Sequence, residues 1–164
     1  AADGYPVHGW SRSPKRLDGI DCHHGDDGLD TLLHQVKTLV TLLPDTPATR
    51  HIINRDNLAK LPVGASLINP GRGTLIDEPA LLEALGYGER DGVSEGRLRG
   101  ALLDAFPNEP LAADSPLWRH PRILITPHMA GPTPIGAAAD QVADALDAMS
   151  KGKAVETIDP EAGY

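Results

Sequence analysis

Short apolar runs alternate with amphipathic stretches along the whole chain. Tyr5-Pro6-Val7-His8-Gly9-Trp10 reads as an opening strand. Asp26 and Asp27 precede a helix that carries Leu29, Leu32, Leu33 and Val36 on one face, the spacing of a 3.6-residue period. Thr38 to Leu43 is the next strand, stopped by Pro44, and a short helix follows between Asp56 and Lys60. Ala65 to Asn69 is a third strand, ended by Pro70-Gly71. Asp77 is placed to cap a helix with Pro79 in its first turn and Leu81, Leu82 and Leu85 inside. Gly100 to Phe106 and Arg122 to Thr126 are two more strands. Thr133-Pro134 then starts a long helix with Ile135, Ala138, Val142, Ala145 and Met149 along one stripe.

Strands and helices alternating at this spacing predict βαβ units, and hence an α/β fold with a doubly wound parallel sheet. The strands are continuous apolar runs rather than strict alternations, which suits a sheet covered on both faces. Ligands of such sheets bind beyond the carboxyl ends of the strands. There the chain places Ser11 and Arg12, then Pro44, Asp45 and Thr46, then Arg72, Asp104 and His128. These residues come from five strands and are expected on one edge of one sheet.

Composition narrows the class without changing it. The chain has 164 residues, about one domain, of which 40% are hydrophobic and 4% aromatic, so the core is expected to be aliphatic. The net charge of -8 argues against a nucleic-acid or anionic-membrane surface. No apolar run approaches the length of a membrane helix. The first residues, Ala-Ala-Asp-Gly-Tyr, have neither the basic flank nor the apolar centre of a secretion signal. Cys22 is the single cysteine, which fits a reducing cytoplasm.

Three residue types stand out chemically. Arg72, between Gly71 and Gly73, carries a planar cation able to grip a carboxylate with two parallel hydrogen bonds. Taken alone, it reads equally well as an exposed arginine in a turn. His128 is the one histidine of seven that follows a buried strand and precedes a small-residue loop, and an imidazole gives and takes protons near neutral pH. Glu109 lies in a proline-rich connection, where it reads either as that histidine's acid or as a solvated loop carboxylate. The pair His23-His24 hints at a metal, but no cysteine or carboxylate is read at ligand spacing, so no metal is expected. Gly86, Gly88 and Gly92 imitate a phosphate loop, yet they follow a helix rather than a strand and are read as a surface excursion.

Five signatures in order carry a family resemblance. They are Leu67-Ile68-Asn69-Pro70-Gly71-Arg72-Gly73, Gly100 to Phe106, Asn108-Glu109-Pro110-Leu111, Ser115-Pro116-Leu117-Trp118 and Ile125-Thr126-Pro127-His128. Together they resemble the D-isomer-specific 2-hydroxyacid dehydrogenases. The start, Gly9 to Lys15, and the ending Gly163-Tyr164 are similar to the branch that reduces glyoxylate and hydroxypyruvate.

The resemblance implies a Rossmann-type NAD(P)-binding domain truncated at its N-terminus, with the first strand and glycine-rich loop belonging before Ala1. Residues 1–132 would be the dinucleotide-binding domain, and 133–164 a helix and tail returning to a substrate domain. It also implies that Arg72 binds the substrate carboxylate, that His128 delivers the proton and that Glu109 pairs with His128. Asp104 would stand next to the cofactor. Leu43, Pro44 and Pro70 would line its adenine-ribose side, with Arg72 close by, and small Ala130 and Gly131 would admit the nicotinamide. An NAD-binding domain usually carries an acid at the end of its second strand. Here Ser11, Arg12, Ser13 and Lys15 stand in its place, which suits the 2′-phosphate of NADP, with NAD as the other choice. The implied activity is NAD(P)H-dependent reduction of a small 2-keto acid by a cytoplasmic homodimer, with no nucleic-acid or membrane partner. The fold also admits a dinucleotide-sensing module, or a dehydrogenase for another 2-hydroxy acid such as 3-phosphoglycerate.

Overall fold

The computed structural model describes residues 4–88, 92–93, 96–131 and 133–155. In chain order the elements are β1 (His8–Ser11), β2 (Asp21–His24), α1 (Gly25–Gln35), β3 (Thr38–Val40), α2 (Arg55–Lys60), β4 (Ser66–Asn69), α3 (Glu78–Ala84), β5 (Tyr87–Gly88), β6 (Gly92–Val93), β7 (Gly100–Leu103), β8 (Ile123–Ile125) and α4 (Ile135–Ser150). The α/β class and the parallel pairing agree with the sequence reading.

The sheet is divided, which corrects the expectation of five strands on one edge. A four-stranded parallel sheet runs in the order β3-β4-β7-β8, while β1 pairs only with β2. No described strand bridges β1 and β3, so the residues after β1 sit on a separate two-stranded sheet. Trp10 and α1 link the two parts. The Trp10 indole N–H donates to the Gly25 carbonyl at the start of α1 at 2.8 Å, and its ring packs against the main core.

Coverage of the large sheet also differs from expectation. Leu39, Leu67, Ala101 and Leu103 are buried on one face. The other face carries the row Val40, Ile68, Leu102 and Leu124, aligned by register across all four strands. Val40 is 47% exposed and Leu124 is 60% exposed, so no described element covers that row fully.

Local rules account for the helices. Asp77 accepts from the Ala80 N–H at 3.2 Å and Pro79 occupies the first turn of α3. Asn54 caps α2 in the same way through the Asn57 N–H. Asp26 and Asp27 lie inside the first turn of α1 rather than before it, where the helix dipole favours them. Leu33, Leu58 and Leu81 are fully buried between these helices and the sheet. Each stabilises by about 1.5–3 kcal/mol relative to exposure.

Three further features bear on function. The glycine-rich excursion forms the two-residue antiparallel hairpin β5–β6, not a strand-loop-helix, and residues 89–91 lie outside the described residues. α4 has no buried residue, and its stripe leaves Ile135 84%, Val142 60% and Met149 64% exposed. Among the described residues, no helix is long and apolar enough to cross a membrane.

β2 escaped the sequence reading. Its residues, Asp21-Cys22-His23-His24, are polar, and only the pairing with β1 makes them a strand. That pairing sets His8 opposite Asp21 and Trp10 opposite His23. It therefore supplies His23 with the carboxylate neighbour that the sequence reading did not find.

Candidate active site at the carboxyl edge of the large sheet

The site grows from three neighbouring parallel strands whose ends share one edge. β4 ends in Asn69, whose side chain is fully buried. Its Oδ1 accepts from the Thr41 hydroxyl at 2.7 Å and from the Gly71 N–H at 3.2 Å, and its Nδ2 donates to the Arg72 carbonyl at 3.0 Å. One side chain thus braces the turn that presents Arg72. The turn must be thin at Gly71, where a Cβ would lie 2.8 Å from the Thr41 carbonyl oxygen. Arg72 itself is exposed and donates only to the Gly71 carbonyl among described groups, at 3.1 Å. Its guanidinium is available to a ligand.

Gly73 joins this turn to the next one. A Cβ there would lie 2.0 Å from the Phe106 carbonyl carbon and 2.3 Å from the Pro107 nitrogen. The Arg72 turn therefore packs backbone to backbone against the segment that leads from β7 to Glu109. Glu109 folds back so that its Oε1 accepts from the Phe106 N–H at 2.9 Å. Its Oε2 lies 2.7 Å from the His128 Nδ1. The hydrogen bond from His128 is the main cause, and that from Phe106 the second, of a Glu109 carboxyl held below its ordinary range. His128 stays 48% exposed, so its outer ring nitrogen faces solvent or ligand.

Asp104 follows β7 and is 1% exposed. Burial alone would raise its pKa, but hydrogen bonds from the Thr126 hydroxyl and from the N–H groups of Met129 and Ala130 outweigh it and hold the carboxyl below the ordinary range. Those N–H groups stand 3.0 and 2.8 Å away. Both carboxylate oxygens are thus engaged with the end of β8 and the loop after it. The resemblance implies a place for Asp104 beside the cofactor; its hydrogen bonds also make it the anchor of the loop that carries His128. That anchor matters because His128 has φ of 51°, a left-handed backbone rare for a residue with a Cβ.

The remaining expected residues divide by sheet. Pro70, Leu43 and Pro44 are half-buried at the same edge as Arg72, and the Pro44 carbonyl accepts from the Thr49 hydroxyl at 2.6 Å. Ala130 and Gly131 are exposed after β8, and a Cβ at Gly131 would meet nothing within 4 Å. Ser11, Arg12, Ser13 and Lys15 lie apart, at the end of β1 and in the connection to β2. There the Ser11 hydroxyl donates to the Ser13 carbonyl at 2.8 Å, while Arg12, Ser13 and Lys15 are exposed. Among the described residues no salt bridge engages Arg12, Lys15 or Arg16. Asn69, Thr41 and Thr126 were not singled out from sequence. The one available signal was an amide at the end of an apolar strand just before Pro-Gly, where its only use is to hold the turn.

The arrangement offers a free guanidinium, an imidazole backed by a carboxylate, and small residues beside both. Such a set binds a carboxylate and moves a proton at an adjacent oxygen.

Comparison with known proteins finds relatives over nearly the whole chain. The sequence profile of the D-isomer specific 2-hydroxyacid dehydrogenase NAD binding domain matches residues 1–130. Glyoxylate/hydroxypyruvate reductase A from Salmonella paratyphi B is 40% identical over 162 residues, which are 98% of this chain and 49% of that protein. The chain thus spans about half the length of the curated relatives it matches. A D-isomer specific 2-hydroxyacid dehydrogenase from Xanthobacter autotrophicus Py2, solved with NADPH and MES, superposes with a TM-score of 0.89 at 40% identity. It covers 100% of this chain and 65% of that one. An NADPH-dependent glyoxylate/hydroxypyruvate reductase from Sinorhizobium meliloti, solved with NADP and sulfate, gives 0.86 at 36% identity over 99% of this chain and 51% of that one. On its motifs, its fold and these likenesses, the chain belongs to the D-isomer-specific 2-hydroxyacid dehydrogenase family and carries that family's NAD-binding domain.

Proposed function

We propose that this chain, within its full-length protein, supports NADPH-dependent reduction of a small 2-keto acid, glyoxylate or hydroxypyruvate, to the 2-hydroxy acid. The observation that carries the reading is the 2.7 Å pair of His128 with Glu109, on a segment packed through Gly73 against the turn of Arg72. The relatives named for glyoxylate and hydroxypyruvate reduction support the substrate class.

The residues present fit a phosphorylated dinucleotide. Arg12, Lys15 and Arg16 are cations without a described salt-bridge partner at the end of β1, where an acid would repel a 2′-phosphate. Pro44 and Pro70 are half-buried along the edge of the large sheet, and Gly131 has open space where a Cβ would stand. NADPH, with NADH as the weaker alternative, would rest against Leu43, Pro44 and Pro70 and reach Ala130 and Gly131. Asp104 serves that end through the loop it anchors. When bound, the nicotinamide supplies the hydride.

The chain's own residues do the rest. Arg72 grips the substrate carboxylate and draws charge toward the carbonyl oxygen. His128 donates its proton to that oxygen from the ring nitrogen that Glu109 does not hold. Glu109 fixes the ring and balances the charge of the imidazolium. The exposed stripe of α4 supports packing of that helix on a substrate domain in an intact homodimer.

The test is His128→Ala in the full-length protein. NADPH oxidation with either keto acid should fall by at least about 100-fold, the usual contribution of a positioned proton donor. NADPH binding should stay within a factor of a few. Normal turnover, or loss of NADPH binding together with turnover, contradicts the assignment.

A further inference from the structure

The register of β1 and β2 builds a second polar cluster away from the site just described. Successive residues of a strand point to opposite faces. His8 pairs with Asp21, and His23 lies two residues after Asp21, so all three side chains share one face. Cys22, between them, turns the other way and its thiol donates to the Ile20 carbonyl. The His8 Nδ1 lies 3.3 Å from the Asp21 Oδ2, the His23 Nε2 lies 3.4 Å from the same oxygen, and the two nitrogens are 3.5 Å apart.

Those three atoms form a nearly equilateral triangle. A tetrahedral ion with bonds of about 2.0–2.1 Å separates its ligand atoms by about 3.3–3.4 Å. The triangle therefore matches one face of such a coordination sphere. The histidine side chains are 22% and 14% exposed, so packing holds them, while Asp21 at 64% leaves the cluster open to solvent. Two imidazoles and one carboxylate suit a divalent transition ion rather than Mg²⁺ or Ca²⁺, which demand oxygen. Among the described residues this is the one group of three such side chains within ligand reach of one another.

We propose that His8, Asp21 and His23 form a three-ligand site for Zn²⁺ or a similar divalent transition ion, with solvent in the fourth position. The ion would tie β1 to β2 across the connection that carries Arg12 and Lys15. It is independent of the reductase reading, since none of the three residues touches the Arg72, Glu109 and His128 cluster.

The experiment titrates the chelator-treated full chain with Zn²⁺ by calorimetry and with Co²⁺ by visible absorbance. One ion per chain is expected, with the intense absorbance of four-coordinate Co²⁺ and a rise in melting temperature with Zn²⁺. Asp21→Asn, at an exposed position, should weaken binding at least about tenfold, as should His23→Gln. His34→Gln removes another histidine beside an aspartate, on α1, and should leave binding unchanged. Absence of stoichiometric binding, a Co²⁺ spectrum that stays that of the hydrated ion, or affinity that follows His34 instead of Asp21 would overturn the site.

Discussion

Asp104 shows how much one buried side chain decides here. A carboxylate 1% exposed is costly unless its oxygens are satisfied, and three donors from the His128 loop satisfy them. Asp104→Asn keeps one acceptor but turns an NH₂ group toward an N–H. It should cost about 1–3 kcal/mol, the penalty of an unpaired buried polar group. Denaturant unfolding should register that loss, and hydrogen exchange should quicken at Met129 and Ala130. Unchanged stability would mean that the loop is held otherwise. Arg72, His128 and Glu109 stand out as candidates through the motifs around them, since alone Arg72 reads equally as a turn arginine and Glu109 as a solvated loop acid. The resemblance implies a cofactor role for Asp104 but gives no sign of the anchor, since sequence does not say which way a carboxylate points. Asn69 was silent for the same reason: its work is to hold a turn.

At the scale of elements, the turns after β4 and β7 act as one unit through Gly73. Gly73→Ala drives a methyl group into the Phe106 and Pro107 backbone, which no rotamer relieves. The loss should exceed the roughly 1–3 kcal/mol of ordinary overpacking. Thermal unfolding should show it, whereas Gly131→Ala, which meets nothing within 4 Å, should melt near the parent. Equal melting temperatures for the two variants would refute the close approach. Apolar period and capping residues gave away β3, β4, β7, β8 and α1 to α3, because those elements bury a face or satisfy their own ends, whereas α4 showed through its apolar stripe alone. β2 lacked both signals. Its strand geometry comes from a partner 13 positions earlier in register, and only Ile20 and Cys22 in alternation hinted at it.

At the scale of the whole molecule, the residues proposed for cofactor preference and those proposed for proton transfer stand on different sets of paired strands. Arg12 and Lys15 lie at the end of β1 and in its connection to β2, Arg72, Glu109 and His128 lie after strands of the large sheet, and no described element fully covers the row Val40, Ile68, Leu102 and Leu124. Arg12→Asp in the full-length protein should therefore shift cofactor preference toward NADH without altering keto-acid KM. An unchanged ratio of NADPH to NADH rates would refute the phosphate contact. Stability should also depend on mild acid through His120, which burial, seconded by Arg122, holds below its usual 6.5. The unfolded chain then binds the proton first, so stability is full above about pH 6.5 and falls as pH drops toward the depressed value. Urea midpoints between pH 8 and 5 should decline over that window (both limits flank the ordinary histidine range), and a flat profile would contradict it. The division of the sheet was not legible in sequence, because apolar runs report that a strand is buried and not which strand lies beside it.

The most direct measurement is the steady-state kinetics of Arg72→Gln in the full-length protein, with NADPH and a panel of keto acids. Loss of a charged double hydrogen bond, about 2–3 kcal/mol, should lower kcat/KM for glyoxylate and hydroxypyruvate by roughly 30- to 150-fold, with NADPH affinity unchanged. Keto-acid kinetics equal to the parent's would show that this guanidinium does not hold the substrate.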